Sequence, residues 1–180
     1  MKIRLGADTL VELVAPIDQG ATPPAPLTSA TVSAVLVDTA RETVLDANAS
    51  FGVSVISVES ARRFEPWHTV LIEMGTASIH ESALAGVDIA AGTLTLQTPP
   101  TFNCQKGARV SVKVGATITL AGFNLANANV ETTDWGYRGE IQPNHNGLGL
   151  AQTVRVEITA SQGGRVAREW FDAAIERPGA

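Results

Sequence analysis

Two of the three histidines and the single cysteine lie in one stretch of the chain, and imidazole and thiol groups can bind zinc or act as nucleophiles. His68, His80 and Cys104 are separated by twelve and twenty-four residues. Zinc sites built from local sequence contain closely spaced pairs such as Cys-x-x-Cys, and no such pair occurs here. His80 and Glu81 are neighbours in a predicted strand, so they face opposite sides of a sheet. The spacing favours ordinary surface or turn histidines and predicts no metal and no cofactor.

Cys104 is a weak candidate for a nucleophile. It lies in PPTFNCQKG, between two predicted strands, without the small-residue turn that usually exposes a nucleophile. A lone cysteine more often acts as a small buried hydrophobic residue. The sequence also contains no Gly-x-Ser-x-Gly motif, no phosphate-binding glycine loop and no His-Glu-x-x-His motif. We therefore predict no catalytic residue and a protein that is not an enzyme.

A different group of side chains has the composition of a protein–protein contact. Trp135, Tyr137 and Arg138 lie in DWGYRGE, and His145 follows them, all within residues 121–152. Trp, Tyr and Arg are the residues that most often anchor protein interfaces. Loops as long as this predicted one are usually functional or become ordered against a partner. We predict that these four residues contact a partner; the alternative is that Trp135 packs the segment onto its own chain.

The segments that position these residues alternate with a period of two. Val110, Val112 and Val114 alternate with polar residues, and the same alternation occurs over residues 93–97 and 153–159. Such alternation is typical of half-buried antiparallel strands. Further strands are predicted at 9–14, 31–38, 42–47, 52–58, 69–74, 117–120 and 168–176. The last of these also fits a short helix, but no window shows sustained helical spacing with caps at both ends.

The predicted elements divide the chain into three parts. Residues 1–60 are expected to supply N-terminal strands that form half of a sandwich, and residues 61–115 a compact antiparallel unit. Residues 116–180 supply a long arm and closing strands that pair with the N-terminal part. The predicted fold is all-β: an antiparallel immunoglobulin-like sandwich with a small inserted β-barrel-like unit and a long loop or arm.

Composition excludes several classes of protein. The 180-residue chain has 13 Lys and Arg against 18 Asp and Glu, a net charge of −5, and its basic residues are scattered, so no nucleic-acid footprint is present. One cysteine cannot form an internal disulfide. The N-terminus lacks the apolar core of a signal peptide, and no stretch approaches about 18 apolar residues. We expect synthesis in a cytoplasm and no contact with a membrane.

The middle of the chain resembles a unit found in structural proteins of tailed bacteriophages. The pattern there runs Phe-x-x-Gly-Asp-x-Val-x-Ile, then Val-Asp-x-x-x-Gly-Thr-Leu-Thr-Leu, a proline and a late Lys-Gly-x-x-Val. This chain has FEPWHTVLI, GVDIAAGTLTLQTPP and KGARVSV, with Trp67 and His68 in place of Gly-Asp. TSATVSAVLVDTARETVLDA is similar to immunoglobulin-like strand pairs of phage neck and baseplate proteins. The stretch from WGYRG to GLGLAQTVRVEITASQGGRV resembles the closing hairpin of head–tail connectors.

The resemblance implies a structural protein of the virion. Size and all-β content fit a head-closure, or stopper, protein of the phage neck, made in the host bacterial cytoplasm. Its implied partners are copies of itself in a ring and the adjacent portal-side and tail proteins, with DNA only passing through the channel. The alternatives are a tail, collar or baseplate protein, or a free-standing β-sandwich binding module such as an adhesin. Aromatic residues are only 5% of the chain, which disfavours carbohydrate binding.

Overall fold

The computed structural model describes residues 2–4, 9–14, 17–18, 25–26, 30–74, 78–124, 135–141, 151 and 153–176, and the structural statements below concern these residues. They contain strands and no helix, so no helix in the described residues has the length and apolar character to cross a membrane. The strands are β1 (Lys2–Arg4), β2 (Thr9–Val14), β3 (Ile17–Asp18), β4 (Ala25–Pro26), β5 (Thr31–Val44), β6 (Val55–Ser57), β7 (Thr69–Met74), β8 (Ser78–Asp88), β9 (Thr93–Leu96), β10 (Arg109–Asn124), β11 (Trp135–Ile141), β12 (Thr153–Gln162) and β13 (Arg165–Glu176). The predicted all-β fold is confirmed, and residues 168–176 are strand.

One continuous path connects nine of the strands, in the order β1-β13-β12-β5-β10-β7-β8-β9-β6. β11 pairs with both β10 and β2, and β3 pairs with β4 in a separate two-stranded sheet. Among the ladders whose register is described, all are antiparallel except β1 with β13. Closing the strands from β5 to β6 into a barrel would need a ladder between these two strands. Beyond their ends, Leu45 and Val58 meet only in an isolated bridge. The sheet is therefore not closed into a barrel by a continuous ladder.

Residues 37–114 form a compact unit with its own hydrophobic core. Val110 and Val112 are buried, as their alternation predicts, and they pair with Ile72 and Val70 of β7. The core also takes side chains from β6, β8, β9 and the connecting segments. Its buried members are Leu45, Ala49, Ile56, Val58, Ala61, Phe64, Val70, Ile72, Leu84, Leu94, Leu96, Cys104, Val110 and Val112.

Residues 1–36 and 115–180 form the second compact unit. Its longest ladder is the hairpin of β12 and β13. Val154, Val156 and Ile158 are buried on one face of β12, which confirms the inward positions expected from the alternation over residues 153–159. Gly163 and Gly164 have φ values of 58° and 81°, so two glycines supply the positive φ angles that this tight turn requires.

The first unit boundary lies at residue 37, whereas the sequence-based division placed it near residue 60. The segment between these positions contributes Leu45, Ile56 and Val58 to the core of the 37–114 unit. Its alternation indicates strand structure, but residues 31–44 form one strand in place of the separate strands predicted at 31–38 and 42–47. The alternation also carries no information on which core those strands join. That choice depends on long-range contacts.

The predicted loop over residues 121–152 requires correction in two places. Residues 121–124 belong to β10, and residues 135–141 form β11, which lies between β10 and β2. Two glycines in this segment, Gly136 and Gly139, lower its apparent strand propensity. A Cβ at Gly139 would lie 3.1 Å from Leu120 Cγ and 3.2 Å from Ile118 Cγ2. Glycine is therefore used here because the neighbouring strand approaches closely.

Candidate functional site

A cleft in the 37–114 unit is lined by three arginine side chains. Its volume is about 450 Å³. We call it the arginine cleft, and it is lined by the cations Arg41, Arg62 and Arg63, the carboxylate Glu65 and the apolar residues Phe64 and Ile89. Its lining holds three guanidinium groups and one carboxylate, and the Asp38 carboxylate lies beside Arg41, so positive charge exceeds negative charge here on a chain whose net charge is −5.

Three separate segments bring these residues together. Arg41 and a further lining residue, Ala40, lie on β5. Ile89 lies in the turn that follows β8, and the other lining residues lie between β6 and β7. Phe64 is buried in the core, and its N–H donates to Ala61 O at 3.2 Å. Because Phe64 fixes this segment to the core, the two preceding arginines stay at the surface, where both are exposed.

Two of the arginines are held in position by polar contacts with residues of β5. Arg63 Nη1 donates to the carbonyl oxygen of Ala40 at 2.7 Å. Arg41 Nη1 lies 3.6 Å from Asp38 Oδ2, a carboxylate that is itself buried. Arg62 has no hydrogen bond or ion pair to any residue that the structure describes. The cleft thus presents one guanidinium with unused donors beside two that are already positioned.

Glu65, one of the lining residues, exchanges a reciprocal pair of hydrogen bonds with His68. The His68 N–H donates to Glu65 O at 2.9 Å, and the Glu65 N–H donates to His68 Nδ1 at 3.0 Å. Nδ1 is therefore an acceptor, so the neutral ring carries its proton on Nε2, which lies 4.0 Å from Glu65 Oε2. Burial, and then the charge of Arg41, lower the pKa of His68 below its ordinary value of 6.5, against the opposing carboxylates of Glu65 and Asp38.

The other residues considered for metal or thiol chemistry are packed in the same unit. His80 is buried and its Nε2 is 2.9 Å from Thr98 O, while the ring meets Phe102 edge-on. Glu81 is exposed, which confirms that it and His80 face opposite sides of β8. Of the predicted surface or turn positions, the surface position is wrong for both histidines, because His68 and His80 are only 8% and 6% exposed, whereas His68 does lie at a turn. Within the described residues, no group of three His, Cys, Asp or Glu side chains could hold a metal ion.

Cys104 is a core residue, which confirms its interpretation as a small buried hydrophobic side chain. It is 1% exposed and belongs to the core of the 37–114 unit. Its backbone pairs with Ala49 in an isolated bridge, and burial raises the pKa of its thiol above 9.0. Because the thiolate is the nucleophilic form, burial reduces the reactivity of this residue at neutral pH.

Of the four residues predicted to contact a partner, Tyr137 and Arg138 have described side chains. Tyr137 is 3% exposed, and its hydroxyl oxygen accepts a hydrogen bond from the Ala30 N–H at 2.8 Å. Arg138, the next residue of β11, is exposed. The Trp135 backbone pairs with Asn124, but its side chain lies outside the described residues, as does the whole of His145. The partner role stays a prediction, and for Tyr137 the burial favours packing within its own chain.

An exposed tryptophan that the sequence interpretation did not select lies on β13. Trp170 is 65% exposed, and the guanidinium carbon of Arg155 lies 4.9 Å from its ring centroid. Arg155 Nε donates to Asp172 Oδ1 at 3.0 Å, so the arginine that stacks on the ring is itself held by a carboxylate. We call these three residues the Trp170 surface. Its residues are separated in sequence by up to seventeen positions, so only the register of β12 with β13 brings them together.

A second exposed apolar group lies in the 37–114 unit. Phe51, Val53 and Val55 occupy alternate positions and are 66%, 44% and 51% exposed. The Phe51 N–H donates to Asn103 Oδ1 at 2.8 Å, and Ser54 O accepts from the Leu96 N–H at 2.7 Å, so the segment's backbone is fixed. We call these three residues the Phe51 stripe. Val53 and Val55 lie in GVSVISV, a stretch that places apolar residues on both faces of one predicted strand.

No protein-family model matches this chain, and no curated protein matches it.

Proposed function

We propose that the chain is a structural subunit of a tailed-bacteriophage virion, and that it forms part of the ring that joins the head to the tail. Neighbouring copies and the adjacent portal-side and tail proteins are its partners, and DNA passes through the channel of the ring without sequence-specific contact. The observation that carries this proposal is the presence of two different exposed surfaces with the composition of protein interfaces, one in each compact unit.

Two different surfaces are what a ring requires. In a head-to-tail ring, each subunit contributes two unlike patches that complement each other on neighbouring copies. The Phe51 stripe belongs to the 37–114 unit, and the Trp170 surface belongs to the other unit. Exposed large apolar side chains that occur singly need no explanation, but three within five residues form a group, and an exposed tryptophan stacked on arginine has the composition of a contact site.

The residues that resemble phage structural proteins support the fold of the 37–114 unit. Asp88 Oδ1 accepts a hydrogen bond from the Ala91 N–H at 2.9 Å, and Gly92 has a φ of 66°, so both shape the turn between β8 and β9. Gly107 has a φ of 85°, and its N–H donates to Leu45 O at 2.8 Å. These motif positions form turns, which supports a structural role for residues 61–115.

Immunogold labelling of virions tests the proposed location. An antibody against the purified protein should label intact particles at the junction between head and tail. Label confined to the tail tube, collar or baseplate would contradict the neck role and leave another virion role, and particles that carry none of the protein would contradict a virion role. Electron microscopy of the purified protein over a range of concentrations then tests whether it forms closed rings.

A further inference from the structure

We propose that the arginine cleft binds an acidic segment of a partner protein, with carboxylate side chains beside an apolar residue. This inference does not depend on the proposed virion role, because it follows from the charge and shape of the cleft alone. Arg41, Arg62 and Arg63 supply the positive charge, and Ile89 supplies an apolar wall that is 57% exposed.

The chemistry of the cleft matches carboxylates. A guanidinium group presents paired N–H donors whose spacing fits the two oxygens of a carboxylate, and hydrogen bonds between such charged groups are stronger than neutral ones. Arg63 and Arg41 are already held, by the oxygen of Ala40 and by Asp38. Side chains that are positioned before the ligand arrives lose less conformational entropy on binding. Arg62 makes no polar contact within the described part of the chain, so all of its donors can face the ligand.

Several observations favour a protein segment over a nucleic acid. A nucleic-acid site normally extends over a basic surface, whereas this chain has 13 Lys and Arg against 18 Asp and Glu. The cleft is small, with a volume of about 450 Å³, which suits a few side chains. Ile89 lines it, and Trp67, two residues beyond Glu65, is highly exposed. A ligand that combines carboxylates with an apolar side chain uses both properties.

Binding of short peptides to the full chain tests the inference. The probe is acetyl-Glu-Leu-Asp-Glu-amide, and its matched control is acetyl-Gln-Leu-Asn-Gln-amide, which has the same shape without the charges. Titrations followed by NMR of the arginine Nε–H and Ile89 methyl signals should show binding of the acidic peptide alone. We expect Arg62→Gln to weaken that binding by about fivefold or more, and added salt to weaken it further.

Matched variants distinguish binding in the cleft from a general effect of removing one positive charge. Lys106→Gln removes the same charge from an exposed position of the same unit, where Lys106 pairs with Asp46, and should leave peptide binding unchanged. Arg62 makes no polar contact that the structure describes, so its replacement should not alter the melting temperature. Equal losses for Arg62→Gln and Lys106→Gln, or no binding of the acidic peptide, would overturn the inference.

Two further ligands complete the experiment. Tighter binding of a single- or double-stranded oligonucleotide than of the acidic peptide, with the same dependence on Arg62, would assign the cleft to nucleic acid and overturn the inference. Inorganic phosphate tests for an adventitious ion only: binding of phosphate without any binding of the acidic peptide would also overturn it. Binding of the acidic peptide that phosphate displaces only at much higher concentration supports it.

Discussion

At the scale of single residues, the three side chains best suited to metal binding or nucleophilic chemistry are buried in the 37–114 unit. His68 closes a turn through its ring, His80 contacts the oxygen of Thr98, and Cys104 lies in the core. We therefore expect each of them to contribute to stability, since a buried polar side chain that loses its partner destabilises the fold.

His68 should make stability depend on pH. Its pKa is lowered in the folded protein, so the unfolded chain binds more protons between that value and 6.5. Stability then rises with pH over this window, and it falls as the pH is lowered below about 6.5. His68→Asn keeps an oxygen acceptor for the Glu65 N–H but does not titrate. We expect urea unfolding to show a smaller loss of stability between pH 7.5 and about 5.5 for this variant than for the original chain.

An NMR titration of the His68 ring checks the cause directly. If the ring titrates at or above 6.5 in the folded protein, the proposed origin of the pH dependence is wrong. Persistence of the same pH dependence in His68→Asn would contradict it as well.

Replacement of Cys104 should destabilise the protein without any effect of metal. Cys104→Ser places a hydroxyl in the core, and a buried polar group without a good partner costs about 1–3 kcal/mol. Cys104→Ala leaves a small cavity and no polar group, so it should cost less. Chemical unfolding of both variants, with and without a chelator, measures the difference. A loss of stability of the original chain on chelation would indicate a metal site and contradict this account.

At the scale of elements, the turns of the 37–114 unit depend on particular glycines. Gly92 has a φ of 66°, and a Cβ there would lie 3.2 Å from Val58 O. Gly92→Ala should therefore reduce the free energy of unfolding by roughly 1–2 kcal/mol or more, because it adds a close contact to backbone strain. Gly52→Ala separates the two effects, since its φ is 79° but nothing lies within 4 Å of its Cβ. Equal costs for the two variants would show that the contact with Val58 is unimportant.

β11 should depend on the hydroxyl of Tyr137. Tyr137→Phe retains the ring, which packs over Gly122, but removes the acceptor for the Ala30 N–H. We expect the free energy of unfolding to fall by about 1–2 kcal/mol, because a partly buried donor loses its partner. Thermal unfolding provides the measurement, and hydrogen exchange of the Ala30 amide should accelerate in the variant. An unchanged exchange rate would contradict the role given to this hydrogen bond.

At the scale of the whole molecule, the Trp170 surface should contribute to assembly and little to folding. Trp170→Ala removes an exposed ring, so the melting temperature of the free protein should change little. Incorporation into particles should weaken by about 2 kcal/mol or more if Trp170 is a central contact. Parallel measurements of thermal stability and of incorporation decide this. A variant that melts early but assembles normally would place Trp170 among the folding contacts.

The free chain should be a monomer or a weak oligomer that joins a ring only in the assembled particle. In the part of the chain that the structure describes, the exposed apolar side chains form small groups, such as the Phe51 stripe, and not a long seam. Stable obligate interfaces are larger and more apolar than such groups. Sedimentation at micromolar concentration measures the assembly state, and a stable large homo-oligomer would contradict this expectation.

Local patterns in the sequence predicted several of the strands. Alternation with a period of two predicted β12 and the inward positions of Val110 and Val112, because successive side chains of a strand face opposite sides whatever the rest of the fold does. The same rule placed His80 and Glu81 on opposite faces of β8. Glycines in tight turns, such as Gly163 and Gly164, also followed from local geometry. The sequence predicts a loop at β11 because Gly136 and Gly139 lower its apparent strand propensity. Gly139 is present there because the neighbouring strand approaches closely.

Tertiary structure alone decided which faces are covered and which distant residues meet. GVSVISV carries apolar residues on both faces, and only the packing of the unit shows that Ile56 and Val58 are buried while Val53 and Val55 are exposed. Arg41 and Arg62 share a cleft because Leu45, directly after β5, and Phe64, before β7, pack in one core. Arg155 reaches Trp170 because of one particular strand register. Burial and proximity depend on contacts between residues far apart in the chain, and a local pattern contains no information about those contacts.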